Sequence, residues 1–132
     1  SELQNRRLPP DISQVVLSKS FQQSNPSYTF LYHQIRGLNP VTSLRPKGFV
    51  DGSGPKSSDL NAMTIPTLFI VGDEDITMPP HIVQLAQELI PNSRLEIVPG
   101  AGHSVYFEKP IIFNNLLMEF LGQKINGDQI PI

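Results

Sequence analysis

Residues 65–107, IPTLFIVGDEDITMPPHIVQLAQELIPNSRLEIVPGAGHSVYF, decide how this chain folds. Thr67-Leu68-Phe69-Ile70-Val71 is an unbroken apolar, β-branched and aromatic run ended by Gly72, the pattern of a parallel strand buried on both faces. Pro79 and Pro80 suit a helix start, where no intrahelical acceptor is lost with the missing N–H. Ile82, Leu85, Ala86 and Leu89 follow at i, i+3, i+4 and i+7, which predicts one apolar stripe, and Pro91 stops it. Arg94-Leu95-Glu96-Ile97-Val98 alternates polar and apolar, as expected of a second strand with one wet face at a sheet edge.

A helical crossover of this length joins parallel strands, so both strands end on one rim of the sheet. The loop after the first carries Gly72-Asp73-Glu74-Asp75; the loop after the second carries Gly100-Ala101-Gly102-His103-Ser104. Ligand sites in open α/β sheets lie at such carboxyl ends, so an acid and a histidine on neighbouring exits can meet. An aspartate bound to one ring nitrogen of a histidine fixes its tautomer and leaves the other nitrogen to act as a base. Asp73, Glu74 and Asp75 all qualify as the acid on this argument.

Pro66-Thr67-Leu68, Gly72 with Asp75 and Pro79 in G-x-x-D-x-x-x-P, Gly102-His103 in G-x-G-H, and Glu108-x-Pro110 together resemble the C-terminal end of the α/β-hydrolase family. The resemblance covers about residues 59–121 well and the preceding segment loosely. It implies an α/β fold: the C-terminal βαβα part of a hydrolase sheet, with two parallel strands, preceded by a helical lid-like segment and incomplete alone. It puts Asp75 at the family's catalytic acid and His103 at its catalytic histidine, and the spacing favours Asp75 over Asp73 and Glu74. The family's chain order is Ser, then Asp or Glu, then His. Only the last two members are matched here, since G-x-S-x-G occurs nowhere in the 132 residues. Gly52-Ser53-Gly54 is a glycine-flanked serine in DGSGPKSS, a turn-rich run with no strand before it.

The expected function is therefore that of the C-terminal part of a hydrolase whose whole form cleaves an ester, amide or related bond through a Ser-Asp-His type triad. The chain by itself is expected to be inactive. An aspartate nucleophile, as in the dehalogenase and epoxide hydrolase members of the same family, is equally compatible with this half. A reading from a different class is a non-catalytic interaction module that retains the half-fold.

Working outward, residues 1–38 are expected to form a helical, lid-like segment: an extended arm ending in Pro9-Pro10, a helix capped by Asp11 with Ile12, Val15, Val16 and Leu17, and a second helix after Asn25-Pro26 with Tyr28, Leu31, Tyr32 and Ile35 on one face. Plain covering helices are the alternative. Residues 39–58 are rich in Pro, Gly, Ser and Lys and predict a linker longer than most connections within a domain. Residues 59–122 hold the hydrolase-like core, with a helical turn near Asp59–Met63. Pro110 opens a last helix with Phe113, Leu116, Leu117 and Phe120 on one face, and Gly122 closes it. Residues 123–132 predict a frayed tail.

The other candidate groups have plainer uses. Ser104 is expected to shape its loop, Glu108 to cap the helix start at Pro110, and His33 and His81 to be solvated or packed. No H-x-x-x-H or H-x-x-E-H spacing is present, so no metal or other cofactor is expected. A net charge of −2 and a pI near 5.8 offer no basic surface for nucleic acid. No apolar run approaches the ~20 residues of a membrane span, and no apolar region follows Arg6 and Arg7 as in a secretory signal. The lack of cysteine is compatible with a reducing compartment, and a cytoplasmic location is expected. Thirteen prolines, about twice average usage, predict many loops and helix boundaries. Two-stranded sheets are marginal alone, so either the chain is a piece of a longer polypeptide or, as it stands, it is expected to form a homo-oligomer, most simply a dimer, to complete the sheet. The partner expected for the parent enzyme is a small-molecule substrate.

Overall fold

The computed structural model describes residues 15–38 and 54–122. The Asp11 cap, Gly52-Ser53, most of the 39–58 linker and the 123–132 tail lie outside the described residues. In chain order come α1 (Lys19–Ser24), α2 (Pro26–Gly37), α3 (Ser57–Asn61), β1 (Thr67–Gly72), α4 (Pro80–Glu88), β2 (Ser93–Val98), α5 (Val105–Glu108) and α6 (Pro110–Phe120). Two parallel strands with helices before, between and after them give the described residues an α/β architecture.

β1 and β2 pair in parallel from Thr67↔Ser93 to Gly72↔Val98, so both chains leave the sheet at the same level. This is the geometry expected from a strand–helix–strand crossover. The apolar run of β1 is less buried than its sequence suggests: Thr67 to Ile70 are partly covered, and only Val71 and Gly72 are buried. Among the described residues the sheet has two strands, so one edge of β1 has no ladder partner.

The crossover helix α4 begins where the prolines direct it, with Pro79 as N-cap. Its buried arc is Ile82, Val83 and, just past its end, Ile90, while Leu85 is 55 % exposed. Leu85 sits roughly 110° around the helix from the centre of that arc, at about 100° per residue. A spacing match locates an apolar stripe to within about one position and leaves its edge open.

β2, α5 and α6 enclose one apolar cluster of Val98, Ala101 and Val105, with Ile70, Phe113 and Leu116 packed against it. The stripe expected on α6, Phe113, Leu116, Leu117 and Phe120, is the partly buried face. A second cluster, Val16, Leu17 and Phe21, packs against Tyr32 and Phe107. Residues 15–17 form a turn rather than the expected helix, and α1 starts at Lys19. Ser18 is its N-cap, accepting the Phe21 N–H at 3.1 Å, which satisfies one of the free donors of a helix start. α2 runs from Pro26 as expected, yet Tyr28, Leu31 and Ile35 are 46–58 % exposed and only Tyr32 reaches the core. α3 begins at Ser57, inside the expected linker, where the Asp59 carboxylate accepts the Lys56 N–H at 2.8 Å. No helix of the described residues is long and apolar enough to cross a membrane.

Candidate active site

The shared rim of β1 and β2 brings the two chemistry-bearing loops into contact. Gly72 and Val98 are paired at the last rung, and beyond them the Asp73 N–H donates to the Val98 carbonyl at 3.1 Å. The Glu74 N–H donates to the Ala101 carbonyl at 2.9 Å. This packing needs Gly72, because a Cβ there would collide with the carbonyls of Ala101 and Gly102.

Each acid of the Gly72-Asp73-Glu74-Asp75 loop has a separate partner. Asp73 accepts the Gly100 N–H at 2.7 Å, and Glu74 accepts from the Ser20 hydroxyl at 2.7 Å. Asp75 alone is buried, at 4 % exposure, and it alone reaches His103, with Oδ2 2.8 Å from Nδ1. Its other oxygen accepts three bonds, from the Thr77 N–H (2.8 Å), the Thr77 hydroxyl (2.6 Å) and the Met78 N–H (2.9 Å). Asp75 thus both caps the following turn and faces the histidine, one oxygen to each.

Burial of Asp75 favours its neutral form, but the bonds from His103, Thr77 and Met78 outweigh this and hold its carboxyl below the usual carboxylate range. An ionised carboxylate only accepts, so the proton between the pair belongs to Nδ1 of His103, which donates. The same bond raises His103 above its ordinary value of 6.5, against the opposing effect of burial. Nε2 is then the unprotonated nitrogen of the neutral ring. The His103 side chain is 46 % exposed while that of Asp75 is 3 % exposed, so the pair has a buried anchor and an accessible end.

His33 stacks edge-on to Tyr32 at 6.0 Å and His81 is exposed in the first turn of α4; neither joins the pair. Ser104 is 2 % exposed, donates its N–H to the Val16 carbonyl at 3.0 Å and shares a 2.9 Å hydrogen bond with the Tyr32 hydroxyl. Glu108 does not cap α6, whose N-cap is Lys109. Its carboxylate lies buried between Gly102 and Ser18. Local spacing carries no sign of that use, because Ser18 and Glu108 are 90 residues apart. Among the described residues no group of three or more His, Cys, Asp and Glu is placed to hold a metal ion. A shallow depression beside the loops is lined by Ser20, Glu74, Gly100 and Lys109 among others, and does not include His103.

Three comparisons with known proteins find similar chains, and the family model and the solved structures name the same family. A family model described as the alpha/beta hydrolase fold matches residues 8–110, reaching further towards the N-terminus than the motifs alone. A Bacillus subtilis (strain 168) protein with the provisional name 2-succinyl-6-hydroxy-2,4-cyclohexadiene-1-carboxylate synthase is 39% identical over 75 residues, 56% of this chain and 27% of that protein. A solved α/β-hydrolase enzyme, MGS-M2, from a Medee basin deep-sea metagenome library, superposes with a TM-score of 0.61 at 28% identity, covering 88% of this chain and 44% of the other. A thermophilic esterase from Thermogutta terrifontis, solved with malate bound, gives a TM-score of 0.66 at 26% identity over 84% of this chain and 41% of that one. The chain spans 27% of the first of these relatives and under half of the two solved enzymes.

Proposed function

Because this chain belongs to the α/β-hydrolase fold family, we propose that it is the acid- and histidine-bearing part of a hydrolase acting on an ester, amide or related carbonyl bond. The observation that carries the reading is the 2.8 Å contact between His103 Nδ1 and buried Asp75 on adjacent strand exits. In this reading Nε2 of His103 takes the proton of a hydroxyl nucleophile as that oxygen bonds to the substrate carbonyl carbon. The imidazolium then returns the proton to the leaving group as the carbonyl–leaving-group bond breaks. Water repeats the two steps to release the acyl group. Asp75 holds the ring and stabilises its cationic form throughout.

The nucleophile is contributed by polypeptide outside these 132 residues, on an upstream G-x-S-x-G turn. Relatives described as esterases support the ester-cleaving class. The test is hydrolysis of a short-chain activated ester by this chain, by the longest natural polypeptide that contains it, and by that polypeptide with Asp75→Asn or His103→Ala. The expected result is turnover in the longer form only, with Asp75→Asn lowering kcat on the order of 10⁴-fold and His103→Ala on the order of 10⁶-fold. An inactive longer form, or variants that keep full turnover, would overturn the enzyme reading and leave a non-catalytic interaction module as the better account.

A further inference from the structure

Glu108 is a buried carboxylate, 6 % exposed, that the proposed chemistry leaves without a role. It ends α5, one short helix beyond His103. Its oxygens accept the Gly102 N–H at 3.0 Å, the Ser18 N–H at 3.1 and 3.2 Å, and the Ser18 hydroxyl at 2.6 Å. These are charge-assisted bonds, and a buried carboxylate is retained only where such bonds replace its hydration.

The partners of this carboxylate matter because they bracket His103. On one side of the histidine, Ser104 donates its N–H directly to the Val16 carbonyl at 3.0 Å. On the other side, Gly102 is tied to Ser18 through Glu108. The approach is close enough to require glycine, since a Cβ on Gly102 would lie 2.5 Å from the Ser18 nitrogen and 3.0 Å from Glu108 Oε1. Both neighbours of His103 therefore hang from one three-residue segment, Val16 to Ser18, and the Gly102 attachment passes through Glu108.

We propose that Glu108 is a positioning residue: it clamps the Val16–Ser18 segment to the His103 loop and so sets the ring where Asp75 receives its Nδ1–H. This rests on the Asp75–His103 pair being the orienting pair of the proposed hydrolase. Without the carboxylate, the buried N–H groups of Gly102 and Ser18 lose their acceptor. The loop then relieves them by moving, and His103 moves with it.

The test uses Glu108→Gln and Glu108→Ala in the longest natural polypeptide containing this chain, alone and combined with Asp75→Asn. The His103 ring is titrated by NMR, and kcat and KM are measured on a short-chain ester. Glutamine fills the space and keeps one acceptor oxygen, so it serves as the decisive variant if alanine prevents folding. The expected result is a His103 midpoint lowered towards its ordinary value, with no further lowering by Glu108→Gln once Asp75 is already Asn. A double-mutant cycle of this kind isolates an effect exerted through the pair. Turnover should fall on the order of 10- to 100-fold in kcat, the scale of a small misplacement of a reacting group, with KM little changed.

A folded Glu108→Gln protein with unchanged His103 titration and kcat would overturn the inference. So would a shift of full size persisting beside Asp75→Asn, which would mean that Glu108 acts through its own charge. The titration needs no turnover. A protein that hydrolyses no ester yet shows the Asp75-dependent shift would keep this inference and lose the hydrolase reading.

Discussion

Asp73, Glu74 and Asp75 are three acids in a row, and their burial tells them apart. Asp73 and Glu74 tie the neighbouring loop and α1 from the surface, whereas Asp75 is enclosed and carries four acceptor contacts. In the proposed reaction His103 must be neutral at Nε2 to accept a proton, so the acid limb of kcat/KM in the longer polypeptide should follow the His103 midpoint and lie above 6.5. Asp75→Asn should move that limb to lower pH while lowering the plateau, which a pH–rate profile would show. The pair also ties stability to pH. His103, raised on folding, contributes fully below 6.5 and loses its contribution as pH rises through the folded midpoint. Asp75, lowered on folding, contributes above 3.8 and loses its contribution as pH falls through its own folded midpoint. The Tm difference between the native chain and Asp75→Asn should therefore be greatest between those two values and narrow on either side. Gly72→Ala tests the loop contact itself. Its methyl would meet the Ala101 and Gly102 carbonyls, so a loss of about 1–3 kcal/mol in denaturant unfolding is expected, typical of overpacking.

Among the elements, the association of α1 and α2 with the His103 loop depends on few side chains. Leu17 is 2 % exposed in the cluster that Phe21, Tyr32 and Phe107 complete, with Tyr32 and Phe107 packed edge-on at 4.9 Å. Leu17→Ala should destabilise by about 2–4 kcal/mol, as core truncations do. Hydrogen exchange should rise in α1 and α2 before it rises in β1 and β2. Tyr32→Phe removes the hydroxyl that bonds Ser104 and interacts with Tyr106 and should cost about 0.5–1.5 kcal/mol. If Leu17→Ala left α1 and α2 as protected as before, the cluster would not be what docks them.

At the scale of the whole molecule, the chain exposes more apolar surface than its two clusters cover. Phe30, Ile65, Ile111 and Leu38 are 64–84 % exposed, and among the described residues one edge of β1 has no ladder partner. A two-stranded sheet is marginal in water, and an unpaired edge is a template for another strand. The 132-residue chain taken alone should therefore self-associate, most simply as a dimer. Sedimentation velocity at micromolar concentration would show this, and a stable monomer with a cooperative unfolding transition would refute it. The longer polypeptide should lose that tendency as its further strands cover the edge.

How much was legible follows from the range of each interaction. The β1 run, the Pro79-Pro80 helix start, the α6 stripe and the G-x-x-D and G-x-G-H loops are local patterns, and local periodicity with proline and glycine signals is enough to read them. The parallel register followed from the crossover, and with it the expectation that the two loops would meet. What tertiary structure alone decided were the long-range choices. It put Leu85 outside the α4 arc and left most of α2 uncovered. It also turned residues 15–17 into a turn and took Glu108 from a helix cap to a link between Gly102 and Ser18. The physical reason is common to all of these: burial and hydrogen-bond partners depend on which distant segments share space, and no spacing along the chain encodes a contact made across 90 residues.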